Sequence, residues 1–259
     1  MKNHLCFLLL LLALLHPLTA QDSDFSQQSF LLNGRNSAGN TTQRSNNNPI
    51  NERADPDAAH WDIPTLDTAK GVDYLTGIEK DVILEMNKVR SDPAKYAELY
   101  IKPRFPHYND KRYIVSETLS IVTKEGRAAA EECYNALKVM QGVQLLFPER
   151  GLALAAKDHV MDIGQKGQMS HTGSDGGNPV TRVEKYGAGY KNLGENITYG
   201  TSSGRDIVVD LLIDDGIPDR GHRDVIMLPG FTQTGVSAGA HTRFGIMCVI
   251  DYASGYVSN

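Results

Sequence analysis

The chain has 259 residues, of which 41% are hydrophobic and 22% charged, an ordinary globular balance. Its formal net charge of -5 excludes a protein that grips nucleic acid through a phosphate-neutralising basic patch. No acidic block long enough for a solvating tail occurs, and the length accommodates one large domain or two small ones.

The first twenty residues have the three parts of a secretory signal. Lys2 supplies the positive start, residues 5–15 are almost wholly apolar, and Leu18-Thr19-Ala20 ends in small residues. The apolar run is too short to cross a hydrocarbon core of ~30 Å as a helix. Cleavage after Ala20 is expected, giving a secreted, extracellular chain without a transmembrane anchor. Cys6 leaves with the signal. Cys133 and Cys248 remain, either as one bridge or as two buried thiols; sequence gives no distance to decide between them.

Residues 21–70 are rich in Asn, Ser, Gln and Asp. Such a composition buries too little apolar surface to offset the entropy of ordering, so a disordered polar linker is predicted. Phe30, Leu31, Leu32 and Trp61 are the residues by which it would instead pack on the domain. Asn40-Thr41-Thr42 is an N-glycosylation sequon in this accessible stretch.

From residue 71 the pattern becomes that of a folded domain. Ile78, Val82, Ile83, Met86 and Val89 recur at helical spacing, with Glu79, Lys80, Asp81 and Glu85 between them, which predicts an amphipathic helix. Ser91-Asp92-Pro93 stops it and starts another over residues 94–99. Residues 102–120 are expected to be irregular, and residues 123–140 helical. A further helix is predicted over 151–163, with Leu152, Ala155, Ala156, His159, Val160 and Ile163 on one face. His159 on that face is expected to be a hydrogen-bonded core histidine. Asn178-Pro179 starts a short helix, and Ser203 with Asp206 caps another whose apolar face is Ile207, Val208, Leu211 and Leu212. The segments 235–239 and 246–250 are expected to be strands of a hairpin around His241-Thr242-Arg243. Helices come first and strands cluster late, which predicts an α+β layered domain.

Four short segments carry ionisable side chains beside glycine or small polar residues: Ser170-His171-Thr172, Gly194-Glu195-Asn196-Ile197, Ile213-Asp214-Asp215-Gly216 and Gly221-His222-Arg223. Their order and motifs resemble the CAP superfamily (the cysteine-rich secretory, antigen-5 and pathogenesis-related proteins, or SCP domains) over residues 71–259. Gly-His-Arg resembles the bacterial-type form of the family's second histidine motif. The resemblance implies a three-layer α-β-α sandwich with a mainly antiparallel central sheet and an open cleft holding His171, Glu195, Asp215 and His222. Asp214 is the adjacent alternative to Asp215, because neighbouring helix positions point about 100° apart.

Two neutral imidazoles, His171 and His222, are candidate ligands for a weak Zn²⁺ site oriented by the carboxylates. The resemblance implies a secreted CAP/SCP module that binds a divalent cation, a small apolar (lipid) ligand or a partner protein through this cleft, without catalysis. The alternative is a metal-dependent hydrolase or peptidase with Glu195 as general base. HExxH is absent. Gly200-Thr201-Ser202-Ser203-Gly204 matches a nucleophile-elbow pattern but has the composition of a loop before a helix. Leu212 stands where many members have tryptophan, Arg223-Asp224-Val225-Ile226 replaces the animal aromatic signature, and residues 100–145 extend the minimal domain. Sterol export is therefore not implied. Asn196-Ile197-Thr198 is formally a second sequon, but it overlaps the cleft motif and is expected to be unmodified.

Overall fold

A computed structural model describes residues 60–259. The signal segment, most of the linker and the Asn40 sequon lie outside the described residues.

The elements in chain order are α1 (Ile63–Leu66), α2 (Gly77–Ser91) and α3 (Pro93–Tyr96), then a π-helical turn (Ala97–Ile101) and a 3-10 segment (Lys102–His107). These lead into β1 (Tyr108–Asn109), β2 (Arg112–Ile114), β3 (Ser120–Val122), α4 (Arg127–Val139), β4 (Phe147–Pro148) and α5 (Arg150–Lys166). The remainder is α6 (Pro179–Val183), β5 (Gly187–Ala188), β6 (Asn192–Tyr199), α7 (Gly204–Ile213), α8 (Gly221–Met227), β7 (Gln233–His241), β8 (Gly245–Ser254) and β9 (Val257–Ser258).

The central sheet has the order β4-β7-β8-β6. Its three long strands are antiparallel, and short β4 joins in parallel. Alternation along the strands sorts side chains to two faces. Val236, Cys248, Ile250 and Tyr252 join the main core with α2, α7 and α8, whereas Ile197, Met247 and Val249 pack on Ala156, Val160 and Ile163 of α5. The result is an α+β domain with helices on both faces of a mainly antiparallel sheet.

Local chemistry explains the helices nearest the site. Glu79 accepts the backbone N–H of Thr76 at 2.7 Å, closing the first turn of α2. Its other oxygen accepts the backbone N–H of Ala238 at 3.0 Å, so the start of α2 is tied to β7. Asp92 ends α2 and caps α3 by accepting from Lys95 N at 3.0 Å. Helix α5 ends where Gly167 turns left-handed at φ 65°. The expected face of α5 is buried, and His159 lies within it, its Nε2 2.7 Å from the Ser170 carbonyl.

Three expectations are corrected. Residues 60–70, assigned to the polar linker, pack into the domain: Trp61, Leu66 and Ala69 are buried. Trp61 donates from Nε1 to Tyr100 Oη at 2.8 Å and stacks on that ring, an aromatic seat that averaged composition conceals. Residues 102–120 are not irregular. They form the 3-10 segment and a small antiparallel sheet, β1-β2-β3, whose strands are too short to show alternation. Glu79 and Glu85, expected between the apolar positions of α2 as solvent-facing charges, are buried; Glu85 accepts from Lys88 and from Tyr96 Oη, both at 2.9 Å. Cys133 and Cys248 are buried free thiols on α4 and β8. Burial pushes the Cys133 thiol up to about 12, which keeps it protonated and unreactive at neutral pH.

Candidate functional site

The site is organised by two consecutive residues of edge strand β6. Glu195 and Asn196 point to opposite faces of the sheet, and each holds one histidine.

On the α5 face, Glu195 Oε1 lies 2.6 Å from His171 Nδ1, and Arg182 on α6 donates from Nη2 to Glu195 Oε2. Arg182 Nη1 also donates to the His171 carbonyl at 2.9 Å. The His159 contact to Ser170 fixes the preceding peptide. His171 is thus gripped at its ring and at its own backbone. The Glu195 side chain is only 2% exposed. Burial pushes its carboxyl up, but the hydrogen bond to His171 and the Arg182 charge outweigh that and hold it below the usual carboxylate range.

On the other face, Asn196 Nδ2 donates to the His222 carbonyl at 3.1 Å. The His222 ring is held by Asp214: Nδ1 lies 2.6 Å from Oδ1, and the His222 backbone N–H donates to Oδ2 at 2.9 Å. Asp214 can do this because α7 ends at Ile213 and Asp214 itself is left-handed at φ 54°. Arg220 secures the turn by donating to the Asp214 carbonyl at 2.8 Å and to Glu125.

Asp215, the acid expected in the cleft, lines the same cavity as His222 and also binds backbone donors. Its two oxygens accept the backbone N–H groups of Lys124 and Glu125 at 2.5 and 2.8 Å, which fastens the segment before α4. The carboxylate on His222 is Asp214. Neighbouring positions point about 100° apart only where the helix continues. The helix has ended, and both acids line a cavity of about 70 Å³ with His222. Tyr199, Leu211 and Phe244 supply part of its apolar wall. His171 and Glu195 are not in that lining, although Met169, two residues before His171, is. Among the described residues no group of three or more His, Cys, Asp or Glu side chains is arranged to hold a metal ion.

Sequence reasoning missed Arg182 and the structural role of Asn196. The short helix that starts at Asn178-Pro179 was the signal available for Arg182, which lies on it. Asn196 is 1% exposed with its nitrogen engaged, a poor glycan acceptor. Ser202 of the elbow-like pattern is exposed, while Ser203 caps α7 by accepting from Asp206 N at 3.1 Å. The strand before it, β6, is an edge strand and not the central strand that a nucleophile elbow requires.

The profile of the CAP family, described as the cysteine-rich secretory protein family, matches residues 125–252. The uncharacterized protein YkwD of Bacillus subtilis (strain 168) is 30% identical over 105 residues, 40% of this chain and 39% of that protein. The chain thus spans about two fifths of the length of this curated relative. An outer surface protein from Borrelia burgdorferi is 17% identical, with a TM-score of 0.38 over 49% of this chain and 87% of that one. An extracellular protein containing a SCP domain from Bacillus anthracis str. Ames is 24% identical, with a TM-score of 0.36 over 43% of this chain and 34% of that one. Residues 125–252 are a CAP domain, and through it the chain is a member of the CAP superfamily. No helix among the described residues is long and apolar enough to cross a membrane.

Proposed function

We propose that this protein is an exported, non-enzymatic CAP module whose cleft binds a divalent cation such as Zn²⁺ weakly, with His171 and His222 as the protein ligands. The signal-like start at residues 2–20 supports export. The carrying observation for the cleft is the pair of histidine–carboxylate contacts, His171–Glu195 and His222–Asp214, each 2.6 Å at Nδ1. A carboxylate on Nδ1 keeps the proton there, puts the ring's lone pair on Nε2 and raises its basicity, as in the outer sphere of many metal sites. Two nitrogens fall short of the three or four protein ligands of ordinary zinc sites, so water completes the coordination and affinity is low.

The same geometry disfavours the hydrolase reading. A general base needs a carboxylate oxygen open to the reacting water. Glu195 uses its oxygens on His171 and Arg182, and Asp214 uses both on His222. Cleft size disfavours a lipid there, since about 70 Å³ is well below the roughly 300 Å³ at which drug-sized pockets begin. An apolar ligand is better matched by the groove of about 490 Å³ over β7, between Tyr74 and the Val160–Met161 side of α5.

Calorimetric titration with Zn²⁺ tests the assignment. The wild-type chain is expected to bind, and the His171→Ala/His222→Ala double variant to lose binding. Asp214→Asn, which removes only the orienting charge, is expected to weaken binding about tenfold or more. Unchanged affinity in the double variant refutes the site.

A further inference from the structure

One register row on the α5 face of the sheet holds a second carboxyl group. Gly235 on β7, Asp251 on β8 and Glu195 on β6 are direct cross-strand partners. Asp251 is fully buried, and among the described residues neither of its carboxyl oxygens has a hydrogen-bond donor. Glycine on one side presents no side chain. On the other side stands Glu195, itself a carboxylate. The other charged or titratable groups around the pair include Arg182 from α6, His171 from the loop before it, His159 from α5, Tyr199 from β6, Tyr252 from β8 and Tyr256 just beyond β8. Arg182 donates from Nη2 to Glu195 and from Nη1 to the His171 and Gly177 carbonyls, His171 Nδ1 meets Glu195, and His159 Nε2 meets Ser170; the Arg182 Nε and His159 Nδ1 atoms are buried but make no hydrogen bond to Asp251.

Two ionised carboxylates are acceptors only and repel, so neighbours of this kind in a dry interior share a proton. The question is which one carries it. Glu195 has a guanidinium and an imidazole N–H on its oxygens, while Asp251 has no cation of its own. We propose that Asp251 is held as a neutral carboxylic acid whose O–H donates to Glu195, making Asp251 the positioning residue that fixes Glu195 for His171. Glu195 then has three donors from three elements: the His171 ring, the Arg182 guanidinium and the Asp251 hydroxyl. Electrostatics agree with the geometry, for burial first and the Glu195 charge second push the Asp251 carboxyl well above the usual carboxylate range. An unpaired acid in the middle of a buried strand, costly if ionised, is thereby given a role.

The Asp251 role does not depend on cation binding, and its test contains no metal. In the full chain labelled with ¹³C at aspartate carboxyls, one resonance is expected at the protonated position from mildly acid to neutral pH and to vanish in Asp251→Asn. Aspartate resonances that are all ionised at neutral pH overturn the proposal. Positioning is read from the ring ¹⁵N signals of His171. Asp251→Asn, whose amide N–H replaces the O–H, is expected to keep the Nδ1–H pattern. Asp251→Ala is expected to lose it, and an unchanged pattern there overturns the positioning role. Where Asp251→Ala does not fold, the Asn variant decides, and a lost Nδ1–H pattern in it contradicts the proposal.

Discussion

Replacing Arg182 with Met is expected to destabilise the domain by about 3–5 kcal/mol at neutral pH, the range for removing one partner of a buried ion pair. Arg182 is 5% exposed and donates to Glu195, to the His171 carbonyl and to the Gly177 carbonyl. Met keeps most of the volume, so the loss isolates charge and hydrogen bonding from packing. The pH dependence gives a second signature. In the wild type the Glu195 carboxyl is depressed, so its stabilisation is present above the unfolded value of about 4.3 and is lost as pH falls through the folded value. Without the guanidinium, burial dominates and the folded value rises. The variant's defect is then expected to be small in acid and to grow as pH rises through the carboxylate range. Urea unfolding of both proteins at mildly acid and neutral pH measures this. A defect independent of pH contradicts the assigned role of Arg182.

Gly235→Ala is expected to cost about 3 kcal/mol, at the upper end of overpacking effects. A Cβ built there lies 2.1 Å from the backbone of Leu152 and Ala153. Those atoms belong to the first turn of α5, which cannot give locally as a flexible side chain would. The helix must lift from β7, and that opens the row containing Asp251 and Glu195. Gly71→Ala is the control, since a Cβ at that position meets nothing within 4 Å and surface changes of this kind stay within about 0.5 kcal/mol. Denaturant midpoints for the two variants decide. Equal midpoints contradict the close approach of α5 to the sheet.

What the sequence made legible follows from what periodicity and capping encode. The stripe Val82, Ile83, Met86 and Val89 and the face Leu152 to Ile163 are buried on α2 and α5. The strands expected over 235–239 and 246–250 lie within β7 and β8, paired around the turn at 242–244. The histidines and Glu195 stood out because each lay beside glycine or small polar residues at the edge of an element.

The misses share a different cause. Seeing that both acids face the cleft and that Asp214 holds the His222 ring required knowing that the helix ends at Ile213 with a left-handed aspartate, and two adjacent acids before Gly216 give no such signal. Asp251 acts through cross-strand register with a residue distant in sequence, and Arg182 through contacts from a short helix to a neighbouring strand and loop. Asp251 did carry one clue, an acid directly after the apolar run Ile246 to Ile250. The strands between residues 108 and 122 are two or three residues long, below the length at which alternation can be recognised.

That His171 and His222 serve one site from the two faces of β6 is most directly tested by following their ring nitrogens while Zn²⁺ is added to the ¹⁵N-labelled chain. Both Nε2 signals are expected to shift along one saturation curve, with Nδ1 of each ring remaining protonated against Glu195 and Asp214. One ring shifting alone, or the two following separate curves, contradicts a shared site.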